Sequence, residues 1–69
     1  MTLNDVLSIT NVYHVFVAPH PDSANFWLFN ETRLDMYKDH WKNDPVVRRF
    51  GNNEVRLITN INGLLTFYV

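Results

Sequence analysis

Glu54-Val55-Arg56-Leu57-Ile58-Thr59-Asn60-Ile61-Asn62-Gly63-Leu64-Leu65-Thr66-Phe67-Tyr68-Val69 reads as two short strands around Asn-Gly. Asn-Gly is the preferred pair for a two-residue type I′ turn, whose central residues both need φ > 0. A loop at Asn62-Gly63 sets the register: Ile61 faces Leu64, Thr59 faces Thr66, Ile58 faces Phe67 and Leu57 faces Tyr68. Alternation then puts Val55, Leu57, Ile61, Leu64 and Tyr68 on one face, and Ile58, Leu65, Phe67 and Val69 on the other. Neither face is polar, and no charged side chain occurs from Leu57 to Val69. A segment that apolar has to be buried, in the chain's own core or against a second copy. A helix on one side alone would leave the other face wet, and apolar patches beyond roughly a few hundred Å² are unusual on monomers. Two arrangements answer this. Either the first helix covers the second face, or the chain forms a homodimer through its C-terminal strand or the outer sheet face.

Upstream, Asp44-Pro45 has the form of an N-cap followed by proline at the first helical position. Val46, Val47 and Phe50 follow, and Gly51 stops the turn. Before it, Asn30 is a good N-cap and Glu31 adds a favourable charge to a first turn. Leu34, Tyr37 and Trp41 recur at helical spacing, with Met36 and His40 alongside, so one amphipathic helix is expected from about Glu31 to Lys42. Lys38 and Lys42 then sit near its C-terminus. Val12-Tyr13-His14-Val15-Phe16-Val17-Ala18 reads as a strand buried on both faces. Pro19-His20-Pro21-Asp22-Ser23 is a loop by composition, and Phe26-Trp27-Leu28-Phe29 returns as an antiparallel second strand. At the start, Thr2 and Asp5 have the spacing of a capping box in acid form, opening a short helix with Leu3, Val6 and Leu7 on one face and Asn11 as its stop. The predicted order is helix-strand-strand-helix-helix-strand-strand. This is one α+β domain over residues 1–69, a four-stranded antiparallel sheet packed by one main helix.

Sixty-nine residues leave room for a single small core. Chains this short bury only about 60% of their unfolded surface, so disulfides, a structural metal or oligomerisation usually adds support. Cysteine is absent, which excludes disulfides and thiolate zinc sites. The basic n-region of a signal peptide is missing, and no apolar run approaches the roughly 20 residues that span a bilayer. The expected location is the cytoplasm. A net charge of −1 argues against duplex nucleic acid or an anionic membrane as a partner held by charge. The basic residues Arg33, Lys38, Lys42, Arg48, Arg49 and Arg56 are interleaved with Glu31, Asp35, Asp39, Asp44 and Glu54. Mixed signs of this kind mark a solvated face.

Both ends of the chain resemble short uncharacterised accessory proteins of phages and prophages of low-GC Gram-positive bacteria. The matching positions are Met1, Thr2, Leu3, Asp5 and Leu7, then Glu54, Val55, Ile58, Gly63, Leu65, Phe67 and Val69. They cover under half of the chain. The resemblance implies a phage-type accessory protein without a defined activity, working in the host cytosol. Trp41 and the Arg48-Arg49 pair fall outside its pattern.

Chemistry finds little to stand on. His14, His20 and His40 are dispersed, and Asp35, Asp39 and His40 place two side chains, not three, within reach of one ion, so no metal is expected. Ser8 and Ser23 lack an elbow motif, and two glycines, Gly51 and Gly63, cannot build a phosphate-cradling loop. No catalysis, cofactor or small-molecule substrate is expected. The aromatic residues fill a small core with large side chains; alternatively Phe26, Trp27 and the arginines stack single-stranded nucleic acid. The expected function is protein–protein interaction, with itself and with a host protein. Candidate interface residues are Trp41, Arg48 and Arg49, the residue types enriched at hot spots, together with Leu65, Phe67 and Val69. Trp41 also lies on the stripe of Leu34 and Tyr37, which points it toward the core.

Overall fold

The computed structural model describes the backbone of residues 1–69 and every side chain but that of Lys38, so the expected placing of that side chain at a helix end lies outside what is described. Thr2 Oγ accepts the Asp5 N–H at 3.2 Å while the Asp5 carboxylate accepts the Thr2 N–H at 3.0 Å. This capping box opens α1 (Leu3–Ser8), whose Leu3, Val6 and Leu7 are buried. The bonds from the Thr2 backbone and then the Thr2 hydroxyl favour the ionised carboxylate and hold Asp5 below the ordinary aspartate range. Next come β1 (His14–Ala18) and β2 (Thr32–Asp35), a 3-10 segment (Tyr37–Asn43), α2 (Pro45–Phe50), β3 (Leu57–Ile61) and β4 (Leu64–Tyr68). The class is α+β and the element order is the expected one.

The second strand lies elsewhere than predicted. Phe26–Leu28 ends a run of turns and Phe29 is irregular, with Phe26 N–H donating to Ser23 O and Leu28 N–H to Asn25 O. β2 pairs with β1 instead, with Leu34 opposite Val15 and Arg33 opposite Phe16. Thr32-Arg33-Leu34-Asp35 alternates in burial, with only Leu34 fully inside. The main helix from Glu31 to Lys42 is likewise absent. Its first part is β2, and Asp39 has φ +59°, a left-handed conformation that a short polar side chain tolerates but a continuous α-helix does not. Asp44 caps α2 as expected, accepting the Val46 N–H at 2.9 Å.

The sheet order is β2-β1-β4-β3. β1 is antiparallel to β2 and β3 to β4, but β1 and β4 are parallel, with Phe16 opposite Thr66 and Ala18 opposite Tyr68. The sheet is therefore mixed, not purely antiparallel. The cause is the connection from β2 to β3. The 3-10 segment and α2 form a crossover over one face, so β3 runs parallel to β2, and its hairpin partner β4 runs parallel to β1. The hairpin register is the predicted one at every pair, and Asn62 (φ +52°) and Gly63 (φ +80°) make its turn.

All helical elements pack on the same face. The core joins Leu3, Val6 and Leu7 of α1, Trp41, Val47 and Phe50 of the crossover, and Val15, Val17, Leu34, Phe67 and Val69 of the sheet side. Phe29 stacks on Phe50 with ring centroids 4.7 Å apart, anchoring the long β1–β2 loop. That loop is also tied at its start, where Ser23 Oγ donates to His20 O and Val69 O. Among the described residues no helix is long and apolar enough to cross a membrane.

Candidate interaction surface

Because α1 and the crossover share one face, the first helix does not cover the other. That outer face carries Arg33 and Asp35 on β2, His14 and Phe16 on β1, Leu64, Thr66 and Tyr68 on β4, and Leu57, Thr59 and Ile61 on β3, as alternation and the pairing registers require. β1 is thus buried throughout on its inner side, while on its outer side Ala18 is buried and His14 and Phe16 are half-buried. Thr66 is buried between its cross-strand neighbours Phe16 and Thr59. The face divides in two. Over β4 and β3 its exposed side chains are Leu57, Ile61 and Leu64. Over β2 and β1 it is polar, with Arg33 and Asp35 paired at 3.5 Å.

Beside that polar half, a hollow of about 420 Å³ is lined by Tyr13, His14, Arg33, Asp35, Tyr37 and His40. The structure brings His14, His40 and Asp35 to one place, which sequence reasoning missed because it put Asp35 on a helix instead of at the end of β2. Asp39 does not line this hollow; it lies 3.8 Å from Lys42 Nζ. His20 turns its ring edge onto Tyr68 and accepts the Asp22 N–H at Nδ1. Among the described residues no three His, Asp or Glu side chains gather as a metal site.

The sequence-predicted interface residues separate. Trp41 is only 5% exposed and belongs to the core, as do Phe67 and Val69, while Leu65 packs partly buried against it. On the folded chain Trp41, Phe67 and Val69 expose little surface and Leu65 only part of its own, because the helices cover the sheet face that bears Leu65, Phe67 and Val69. Arg48 and Arg49 are exposed. Arg48 shares a hollow of about 320 Å³ with Trp41, and Arg49 lies over the Phe50 ring at 5.0 Å. The aromatics that the nucleic-acid alternative would use are not on the sheet either. Trp27 is 89% exposed but sits in the β1–β2 loop, edge-on to Phe26, and not on a strand. The outer-face aromatics are Phe16 and Tyr68, on the two central strands.

The chain matches no protein-family model, and no curated protein and no solved structure matches it.

Proposed function

We propose that this chain is a small accessory protein of the phage type that works in the host cytosol by binding another protein, without catalysis. The observation that carries this reading is the uncovered outer face, where Leu57, Ile61 and Leu64 stand exposed together over β4 and β3. Clustered apolar side chains on a rigid sheet suit recognition of a protein surface. Two of the groups that chemistry would use are engaged within the fold. Ser23 gives its hydroxyl to two backbone carbonyls, and His20 is held by Tyr68 and Asp22.

The test is affinity capture from a Gram-positive host lysate with two baits, the parent chain and Leu64→Asp. Leu64 is on the solvent side of β4, so the variant keeps its circular dichroism spectrum. One protein enriched by the parent and lost with the variant is expected. Equal capture by both baits would remove the outer face from the function.

A second reading, single-stranded nucleic acid, rests on Phe16 and Tyr68 sharing the outer face of the central strands, diagonal to one another across the pairs Phe16–Thr66 and Ala18–Tyr68, with His14 and Arg33 on the same face. Stacking aromatics beside a cation are the elements of such platforms. Fluorescence anisotropy of a labelled oligonucleotide at about 50 mM salt separates the two. We expect no binding; a micromolar, salt-dependent signal lost in Phe16→Ala would transfer the function to nucleic acid.

A further inference from the structure

The two edges of the sheet are built differently. β2, at one edge, has four residues and carries Arg33 and Asp35. Short length and charge are ordinary ways of blunting an edge against another strand. β3, at the other edge, has neither charge nor proline in Leu57-Ile58-Thr59-Asn60-Ile61. Both of its faces are wet: Leu57 is 46% exposed, Ile61 65%, and Ile58, on the helix side, 52%. The neighbouring Leu64 is 48% exposed.

In a two-residue hairpin the residues flanking the turn form a hydrogen-bonded pair, and such pairs alternate along the ladder. Ile61, Thr59 and Leu57 therefore direct their backbone groups to β4, which leaves the N–H and C=O of Ile58 and Asn60 directed outward. We propose that β3 pairs antiparallel with β3 of a second copy across a two-fold axis at Thr59, joining the four strands of each copy into one continuous sheet. This names a partner beyond the host protein proposed above and does not depend on it.

Three features select a second copy as the occupant. A two-fold makes the pairing antiparallel, and centring it on Thr59 sets Ile58 opposite the partner's Asn60, so the outward donors and acceptors of both copies satisfy each other. On the outer face the same register sets Leu57 against the partner's Ile61 and Thr59 against the partner's Thr59, pairs that stabilise a sheet. The open edge ends there: Arg56 N–H donates to Tyr68 O and Val55 N–H to Met1 O, so Arg56 lies beyond the paired residues and meets no like charge across the axis. The surface is of a weak dimer's size. Covering Leu57, Ile58 and Ile61 with the strand backbone removes less than about 1,000 Å² over two copies, while Leu64, one strand inward, stays open. Contacts of that size belong with weak, transient associations, so the association is read over a wide concentration range.

Sedimentation equilibrium of the full chain from about 1 to 200 μM tests this, with three samples. The parent is expected to approach twice its 8.2 kDa mass. Leu57→Lys with Ile61→Lys sets like charges directly opposite one another in the proposed register, and should weaken association at least tenfold while leaving the circular dichroism spectrum unchanged. Mixing that variant with Leu57→Glu plus Ile61→Glu should restore a dimer containing one of each. A parent that stays at 8.2 kDa throughout, or a double-lysine variant that dimerises like the parent, overturns the proposal. A folded monomer that still captures a host protein would remove self-pairing alone and leave the protein-binding reading standing. Asn60→Pro gives an independent check, because its N–H faces outward and proline there blocks the edge without breaking the hairpin; a dimeric Asn60→Pro protein would equally overturn the proposal.

Discussion

Gly51 provides a prediction in which two effects have opposite signs. It caps α2 with φ −58° and ψ −29°, a conformation that alanine adopts without strain. Replacing such a glycine ordinarily stabilises by about 0.4–1 kcal/mol through the unfolded chain. Here an added Cβ would lie 2.5 Å from Val47 O and 2.6 Å from the side-chain amide of Asn4. Val47 O is also the acceptor of the Gly51 N–H at 2.8 Å, and Gly51 O accepts the Asn4 N–H of α1 at 2.8 Å. The Asn4 side chain can swing away, whereas the Val47 carbonyl is backbone and cannot. Overpacking costs about 1–3 kcal/mol, and weakening the cap bond costs about 1 more. The contact outweighs the entropic gain, and Gly51→Ala should destabilise by about 2 kcal/mol. For a domain of this size that lowers Tm by about 10 °C, read by thermal and urea melts followed by far-UV circular dichroism. Adding Asn4→Ala should recover only a minor part, since it clears the side chain and leaves the carbonyl. A Gly51→Ala protein as stable as the parent, or more so, would show that α1 and the end of α2 are not in this close contact.

Trp41→Ala should cost about 3–5 kcal/mol, close to the whole stability of about 3–10 kcal/mol expected for this length, so its dichroism spectrum should be that of a largely unfolded chain; Arg48→Ala with Arg49→Ala should shift the urea midpoint little. A folded Trp41→Ala protein would contradict its place in the core. Asp5 sets an acid limit. Its folded pKa is depressed by the Thr2 bonds, so its contribution is present above the unfolded aspartate pKa of about 3.9 and is lost as pH falls through the lower folded value. Urea unfolding of the parent and of Asp5→Asn should therefore converge as pH is lowered through that window; a constant difference would refute the coupling.

Where chain chemistry is local, the fold was legible. The Asn62-Gly63 turn dictates its own register, the Thr2–Asp5 pair its own cap, and Asp44-Pro45 its own helix start. Errors begin where a tertiary partner decides. Phe26–Phe29 has strand composition, yet it is Thr32–Asp35 that alternates so that Leu34 can face Val15. The spacing of Leu34, Tyr37 and Trp41 mimics a helix, but Leu34 reaches the core from a strand and Trp41 from a 3-10 turn after the left-handed Asp39. The candidate surface was half legible for a related reason. Alternation separates Leu57, Ile61 and Leu64 from Leu65, Phe67 and Val69 correctly, but two equally apolar faces carry no mark of which one the helices will cover. That choice depends on the crossover, which no local pattern encodes.

The parallel seam at the centre of the sheet also governs when the fold can exist. β1 is among the first elements to be synthesised and β4 is the last, and each supplies one side of the join between Phe16 and Thr66. Nothing else in the chain occupies that position beside β1. The hairpin of β3 and β4 can form by itself on a microsecond scale, but closing the seam requires a loop from Phe16 to Thr66, far longer than the hairpin's own. Folding should therefore wait until β4 has emerged from the ribosome, and until then β1 has one side of its backbone unpaired.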